Sequence, residues 1–308
     1  MRWIATLAVL LASLSLAVAA EKAPAGKILY SLETDSGYRL HIMNADGSGD
    51  RELPGQRGDH SFFASWWPDG KRIAYTEMSG ENFNDAKIVL VNADGSDRKE
   101  YPAPGQVAAM PAWSPDGKQL AFIAGDPNAG DPPGIYVADL LGNGARKLSG
   151  DGGGFAPFWS ADGKSVGYSR IDMDVRKMAV VLQPLGDGEE SELLPADAFQ
   201  IALGGLSPDG KRLLYLSAEM PGAGGEIRVL NLADKSWSTV LDPGFGFLNG
   251  PPFLASASWS PDGKSLVATM KSDDGYGIFR VSLDGKQKTR LTPKGANCTM
   301  PVWSRGPQ

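Results

Sequence analysis

The hexapeptide Trp113-Ser-Pro-Asp-Gly-Lys118 decides the fold, because versions of it recur along most of the chain. The other copies are WWPDGK from Trp66, WSADGK from Trp159, LSPDGK from Leu206, WSPDGK from Trp259 and a shorter WSRG from Trp303. The intervals between successive lead residues are 47, 46, 47, 53 and 44 residues. A period of about 45 residues with one repeated turn motif is typical of a propeller or a solenoid.

Each period carries the pattern of four short strands. A strand that ends in Trp precedes the turn, in which Pro presets φ, Asp caps the turn with its side chain and Gly adopts a left-handed conformation. A second strand of apolar and small residues follows, as in Gln119–Phe122, and then a third, as in Ile135–Val137. A short polar strand such as Arg146–Leu148 closes the unit. Four antiparallel strands in such a period predict one propeller blade.

The strand count predicts six blades, one of them shared between the two ends of the chain. The second strands of the six sets begin near Lys27, Arg72, Gln119, Ser165, Arg212 and Ser265. The chain therefore starts with strands two to four of one blade (Lys27–Leu53) and ends with an orphan first strand (Asn297–Ser304). We predict an all-β, six-bladed propeller of four-stranded antiparallel blades. Its ring closes when the C-terminal strand pairs with the N-terminal blade, which leaves no long sheet edge open.

Composition supports this fold class and excludes several functions. The 39 Gly and 22 Pro among 308 residues rule out a helical bundle. The formal net charge of −6 disfavours general nucleic-acid binding, because such a surface repels phosphates. One cysteine allows no intrachain disulfide, and two histidines exclude a site built from three His ligands.

The first twenty residues have the three-part pattern of a secretory signal peptide. A basic start at Arg2 precedes the apolar run Trp3–Val18, and small residues follow up to Ala20. We predict a cleaved signal in residues 1–20, a mature propeller in 21–308 and a periplasmic location. An uncleaved anchor helix is the alternative, since the run approaches the ~20 residues that span a bilayer. No other segment of the sequence is apolar enough to predict a membrane span.

The tryptophans of the repeat are expected to fill the space between neighbouring blades. Five of the eight Trp residues occupy the same repeat position. Leu206 replaces Trp in one copy, which predicts a looser junction there. The lone cysteine, Cys298, lies in or beside the closing strand and is predicted to be a buried, unreactive thiol.

Candidate functional residues lie in the variable connections, because the repeated turns are used for folding. The first group is Arg57, Asp59 and His60, which combine an imidazole with a carboxylate and a cation. A solvated loop or a ring-closing hydrogen bond is the structural alternative. The second group is a charged connection that contains Arg170 and Asp172, for which a solvated or salt-bridged loop is the alternative.

The third candidate is an aromatic loop between Pro243 and Leu254. It contains Phe245, Phe247 and Phe253 among Gly and Pro residues. Such side chains are costly to leave in water, so they either cover the weak Leu206 junction or form a partner-binding patch.

The periodic W-S-P-D-G-K, L-A-F, I-Y-V and N-A-D-G-S segments resemble the TolB-type β-propeller repeat. This resemblance implies a six-bladed propeller in the bacterial periplasm that works by binding protein, with a peptidoglycan-associated lipoprotein as the expected partner. About six residues separate the predicted signal from Lys27, so the resemblance covers the propeller without the α/β domain that precedes it in TolB. The repeat also resembles those of prolyl-oligopeptidase-type peptidases and of oligogalacturonate lyases.

Two functional classes follow from the sequence. The first is a monomeric, non-enzymatic binding or scaffold propeller without a cofactor, which contacts an envelope protein through its variable loops. The second is a propeller enzyme of the carbohydrate lyase or lactonase type, with a metal or general base in the central channel. A divalent cation in that channel would favour the second class.

Overall fold

A computed structural model describes residues 25–80, 83–126, 128, 130–150, 153–172, 177–219, 225–242 and 256–304. Within these residues the strands form six four-stranded antiparallel sheets, and the first strand of each sheet contacts the first strands of both neighbours. The predicted six-bladed β-propeller is therefore confirmed. The predicted signal peptide lies outside the described residues.

The blades consist of short strands that begin where the repeat pattern predicts. Within the described residues no helix is long and apolar enough to cross a bilayer, and a short 3-10 turn spans Phe83–Asp85. In chain order the strands are β1 (Lys27–Thr34), β2 (Gly37–Asn44), β3 (Arg51–Glu52), β4 (His60–Trp66), β5 (Arg72–Met78), β6 (Lys87–Asn92), β7 (Lys99–Glu100), β8 (Val107–Trp113), β9 (Gln119–Asp126), β10 (Asp131–Asp139), β11 (Arg146–Lys147), β12 (Phe155–Trp159), β13 (Ser165–Asp172), β14 (Lys177–Pro184), β15 (Ser191–Leu194), β16 (Phe199–Leu206), β17 (Arg212–Ala218), β18 (Gly225–Asn231), β19 (Trp237–Leu241), β20 (Ala257–Trp259), β21 (Ser265–Ser272), β22 (Gly275–Ser282), β23 (Lys288–Arg290) and β24 (Cys298–Trp303).

The ring closes through the two ends of the chain. Strand β24 pairs antiparallel with β1 and completes the sheet β24-β1-β2-β3. Ile28 is opposite Trp303, and Leu32 is opposite Cys298. The predicted closing strand is confirmed, one residue shorter at each end.

The repeat tryptophans join adjacent blades, as the sequence predicts. The indole Nε1 of Trp66 donates a hydrogen bond to the carbonyl of Val302 in the preceding blade at 3.2 Å. Trp159 donates in the same way to the carbonyl of Ala112 at 2.9 Å. The indoles of Trp66 and Trp159 therefore combine apolar burial with a hydrogen bond to the preceding blade.

Phe158 fills the junction where Leu206 stands in place of Trp. Both side chains are buried in one apolar cluster between the blade β12–β15 and the blade β16–β19, the third and fourth full blades along the chain. The Phe158 ring lies over Gly167, where an added Cβ would be 2.1 Å from the ring Cζ. Gly205 also leaves room for Phe158, because a Cβ added at Gly205 would be 2.6 Å from the Cβ of Phe158. The missing indole is thus compensated by a phenyl ring from the neighbouring blade.

Cys298 is buried at the start of the closing strand and is 1% exposed. Burial raises the pKa of its thiol to about 12, because the thiolate would lose its hydration. The predicted burial is confirmed.

Candidate binding face and central channel

The face that carries the repeated turns satisfies its own polar groups. Ser114 Oγ donates to Asp116 Oδ1 at 2.7 Å, and the same carboxylate oxygen accepts from the Lys118 N–H at 3.1 Å. The serine hydrogen bond is the main cause that lowers the pKa of Asp116. The same Ser–Asp bond recurs in the turns that begin at Ser160, Ser207 and Ser260. These turns therefore use their side chains for folding.

The opposite face carries the connections that differ from blade to blade, and we call it the variable-loop face. It consists of the loops between a fourth strand and the next first strand, and of those between second and third strands. The first strand of each blade starts at this face and runs to the face that carries the repeated turns. The first strands therefore connect the two ends of a central channel.

The loop with Arg57 and Asp59 lies on the variable-loop face, held between two blades. The Arg57 N–H donates to Glu77 Oε2 at 2.8 Å, and the guanidinium of Arg39 donates to the carbonyl of Gly58. The side chains of Arg57 and Asp59 are exposed. The structure thus fixes the backbone of this loop while its charges face solvent.

His60 belongs to an aromatic patch that we define as Tyr38, His60, Phe62, Phe63 and Phe83. The His60 and Phe62 rings stack with centroids 5.7 Å apart, and Tyr38 lies 5.0 Å from Phe62. The ring centroids of Phe62 and Phe63 are 6.2 Å apart, and those of Phe63 and Phe83 are also 6.2 Å apart. His60 Nδ1 accepts a hydrogen bond from the Tyr38 N–H at 3.2 Å. The patch extends from the exposed loop to the channel mouth.

Arg170 is engaged within its own blade. Its guanidinium pairs with Glu190 and lies 3.7 Å from Glu192, and the Tyr168 hydroxyl donates to Glu190 at 2.6 Å. Asp172 ends β13 opposite Lys177, and its side chain lies outside the described part of the structure. The structure therefore does not bring Arg170 into the aromatic patch.

The predicted aromatic loop lies outside the described residues. This holds for Phe245, Phe247 and Phe253, which fall within the gap 243–255.

The central channel is an apolar cavity of about 640 Å³. It is lined by the first strands of all six described blades, from the variable-loop face to the repeated turns. Apolar side chains in this lining include Phe63, Met110, Phe155, Ile201, Met300 and Pro301.

Bulges in the first strands direct side chains at the channel. Phe63, Met110, Ala156 and Met300 have φ between 50 and 54°, and each lies three residues before the repeat Trp. A left-handed residue other than Gly costs about 1–3 kcal/mol, so the surrounding sheet must hold these positions. Sequence reasoning missed them.

A signal for these bulges is present in the sequence. Pro111, Pro157 and Pro301 stand two residues before their Trp. Because Pro cannot donate to a strand ladder, it is confined within sheets to edges, strand starts and bulges.

Buried hydroxyls satisfy the backbone around these bulges. Thr76 Oγ1 accepts from the Met110 N–H at 3.0 Å, and Ser169 Oγ accepts from the Ala202 N–H at 3.0 Å. Each bond crosses from the second strand of one blade to the first strand of the next. Polar backbone groups are thereby paired inside the blade junctions, and apolar side chains remain on the channel wall.

Ionisable groups are scarce in the channel. Among the described lining residues Lys177 is ionisable, and Asp, Glu and His do not occur. Elsewhere in the described residues, no three His, Cys, Asp or Glu side chains lie close enough together to hold a metal ion.

Sequence comparison finds a matching family and similar proteins. Residues 21–172 match the TolB beta propeller domain family, PD40. The Tol-Pal system protein TolB of Francisella tularensis is 24% identical over 271 residues, which cover 87% of this chain and 59% of that protein. An uncharacterized peptidase of Bacillus subtilis, YuxL, is 28% identical over 210 residues, or 65% of this chain and 28% of the peptidase. This chain thus spans about three fifths of the TolB relatives' length.

Solved structures share the fold. The crystal structure of TolB from Acinetobacter baumannii superposes with a TM-score of 0.73 at 21% identity, over 91% of this chain and 66% of that one. Oligogalacturonate lyase from Vibrio parahaemolyticus superposes with a TM-score of 0.56 at 13% identity, over 83% of this chain and 86% of that one. At these identities the likeness shows the fold alone. With the family match and the TolB relatives, it identifies this chain as a TolB-type β-propeller.

Proposed function

We propose that this chain is exported through a cleaved signal peptide and acts in the bacterial periplasm as a monomeric binding propeller without a cofactor. In this proposal the variable-loop face contacts an envelope protein, and no reaction is catalysed. The TolB relatives carry the name Tol-Pal system protein, which supports an envelope partner. The first partner to test is a peptidoglycan-associated lipoprotein.

The observation that carries this proposal is the aromatic patch on the variable-loop face. Aromatic and Arg side chains provide most of the binding energy at protein interfaces. Tyr38 and Phe62 of the patch are buried, whereas Phe63, Phe83 and His60 are only partly buried. Arg57 is exposed and lies three residues before His60 in the chain. A partner that covers this area would bury aromatic rings at the centre and a cation at the rim.

The alternative of a lyase or lactonase requires a metal or a general base in the channel. The described lining offers Lys177 and no carboxylate or imidazole. No specific observation favours this second function, so the binding role is the one proposed.

Titration calorimetry with the soluble domain of the peptidoglycan-associated lipoprotein from the same organism tests the proposal. The variant is Arg57→Ala combined with Phe83→Ala. Loss of one anchor costs on the order of 2 kcal/mol, which corresponds to roughly thirtyfold in affinity. We expect at least that loss, together with weaker binding at high salt through Arg57.

Lys118→Ala is the matched control, because it removes an exposed cation from the opposite face. Its affinity should stay within about twofold of the wild type. Equal weakening in the control, or unchanged affinity in a folded double variant, would place the contact elsewhere. Absence of any binding by the wild type would remove the lipoprotein as partner.

A further inference from the structure

The interior of the central channel is a second feature, which continues inward from the variable-loop face. Its wall is formed by Phe, Met, Pro, Ala and Ile side chains, and the bulged backbone behind them is hydrogen-bonded inside the blades. A cavity of about 640 Å³ lies in the range of about 300–1,000 Å³ typical of ligand pockets. Such a wall can bind an apolar ligand through burial of its surface.

The depth of the channel suits an extended hydrocarbon chain. The lining of one blade runs along β12 from Phe155 to Trp159. At about 3.3 Å for each residue of a strand, this path is about 13 Å long. The hydrocarbon core of a bilayer is about 30 Å thick, so the acyl chains of one leaflet extend about 15 Å.

The charge in the channel lies near one end. Lys177 starts β14 on the variable-loop face, next to the lining residues Ile171 and Met178. Its side chain is half-buried, and the residue opposite it in the ladder is Asp172, whose side chain lies outside the described part of the structure. An anionic head group at this end would pair with the ammonium, while the opposite end of the channel is lined by the repeat indoles.

We propose that the channel binds a single acyl chain that carries an anionic head group. The chain lies along the bulged first strands, and the head group lies beside Lys177. This inference rests on the channel wall, which shares Phe63 with the aromatic patch, and it does not require the proposed protein contact.

Quenching of tryptophan fluorescence by 16-bromopalmitate, which carries its bromine at the end of the chain away from the carboxylate, tests the inference on the full mature chain. Bromine quenches an indole that it touches, and Trp113, Trp159 and Trp259 line the channel at the end opposite Lys177. We expect saturable quenching below the micellar concentration with one fatty acid for each protein. Quenching that is absent, or that rises without saturation, would overturn the proposal.

Two variants locate the ligand. Ala156→Phe fills the channel, and Phe63 occupies the equivalent bulge at the same φ of 50°, so the new side chain suits that backbone. We expect at least a tenfold loss of bromopalmitate affinity, with the melting temperature as the check on folding. Unchanged affinity in the folded variant would move the ligand out of the channel.

Lys177→Gln tests the head group. We expect about a fivefold loss for bromopalmitate, the value of a partly exposed ion pair, and no change for its methyl ester. Lys164→Gln, which removes an exposed cation at the opposite face of the same blade, is the control and should have no effect. Equal affinities of the Lys177→Gln variant and the wild type for bromopalmitate would overturn the head-group assignment.

Two sources can supply this chemistry, a free fatty acid or a lysophospholipid. Competition of bromopalmitate by palmitate and by lysophosphatidylglycerol distinguishes them, since the tighter competitor indicates the source. Failure of both to compete would contradict the proposal.

Discussion

Gly167→Ala should destabilise the junction between the third and fourth full blades. Gly167 lies in β13 without a positive φ, so alanine suits its backbone. An added Cβ would be 2.1 Å from Cζ of the Phe158 ring and 2.5 Å from its Cε2. Carbon atoms need about 3.5–4.0 Å, so the ring has to move. The ring cannot move freely, because it is buried against Leu206, the residue that occupies the Trp position of the repeat in the next blade.

The cost follows from forced repacking of a full core. Insertion of one methyl group into a packed core typically costs about 1–3 kcal/mol. A Gly→Ala change at a compatible position gains about 0.4–1 kcal/mol through the unfolded chain. We therefore expect a net loss of about 1–2 kcal/mol in the free energy of unfolding. Urea unfolding followed by fluorescence measures this as a lower midpoint at unchanged slope.

Gly186→Ala is the matched control in the same blade. No heavy atom lies within 4 Å of its ideal Cβ, so its stability should equal or slightly exceed the wild type. In a Phe158→Leu background, Gly167→Ala should cost at least about 1 kcal/mol less, since contacting residues couple. If Gly167→Ala is as stable as Gly186→Ala, or if its cost is the same in both backgrounds, Phe158 does not fill this junction as described.

The remaining predictions concern closure, the thiol and pH. Deletion of residues 297–308 removes β24, and cooperative unfolding should be lost because a buried strand disappears; a truncated chain that melts like the full one would contradict closure through this strand. Cys298 should react with a thiol reagent only as fast as the chain unfolds, since it is buried with a pKa raised to about 12; rapid labelling of the folded protein would refute this. Hydrogen bonds from Ser272 and Arg290 lower the pKa of Asp274 from 3.8 to about 2. The unfolded chain therefore binds more protons as pH falls from about 4 to 2, and stability drops over that window. In the Asp274→Asn variant, the free energy of unfolding should depend less on pH in this window. An unchanged pH dependence in this variant would exclude the Asp274 carboxylate as a cause of the acid destabilisation.

The sequence by itself determined the repeat, the blade count and the closure of the ring. These depend on local turn chemistry, in which Pro, Asp and Gly act within a few residues, and on a period that can be counted. The predicted second-strand starts at Arg72, Gln119 and Ser165 agree with the structure for this reason. The sequence also indicated that Arg57 and His60 lie in a variable connection.

Only the tertiary structure shows which residues these side chains contact. The aromatic patch joins Tyr38 of the blade shared by the two chain ends to Phe62 and Phe83 of the first full blade. Arg170 is paired with Glu190 twenty residues away, which its own loop composition did not indicate. Such contacts depend on the distance between neighbouring blades.

The channel shows the same limit of sequence reasoning. The Pro residues before Trp indicate bulges, but whether Met110 faces the channel or a blade junction depends on the hydroxyl of Thr76 in the preceding blade. Phe158 could replace an indole only because Gly167 and Gly205 both lack a Cβ beside it. Periodicity arises from local conformational preference, whereas the wall of a channel is set by packing between segments that the sequence separates by a whole blade.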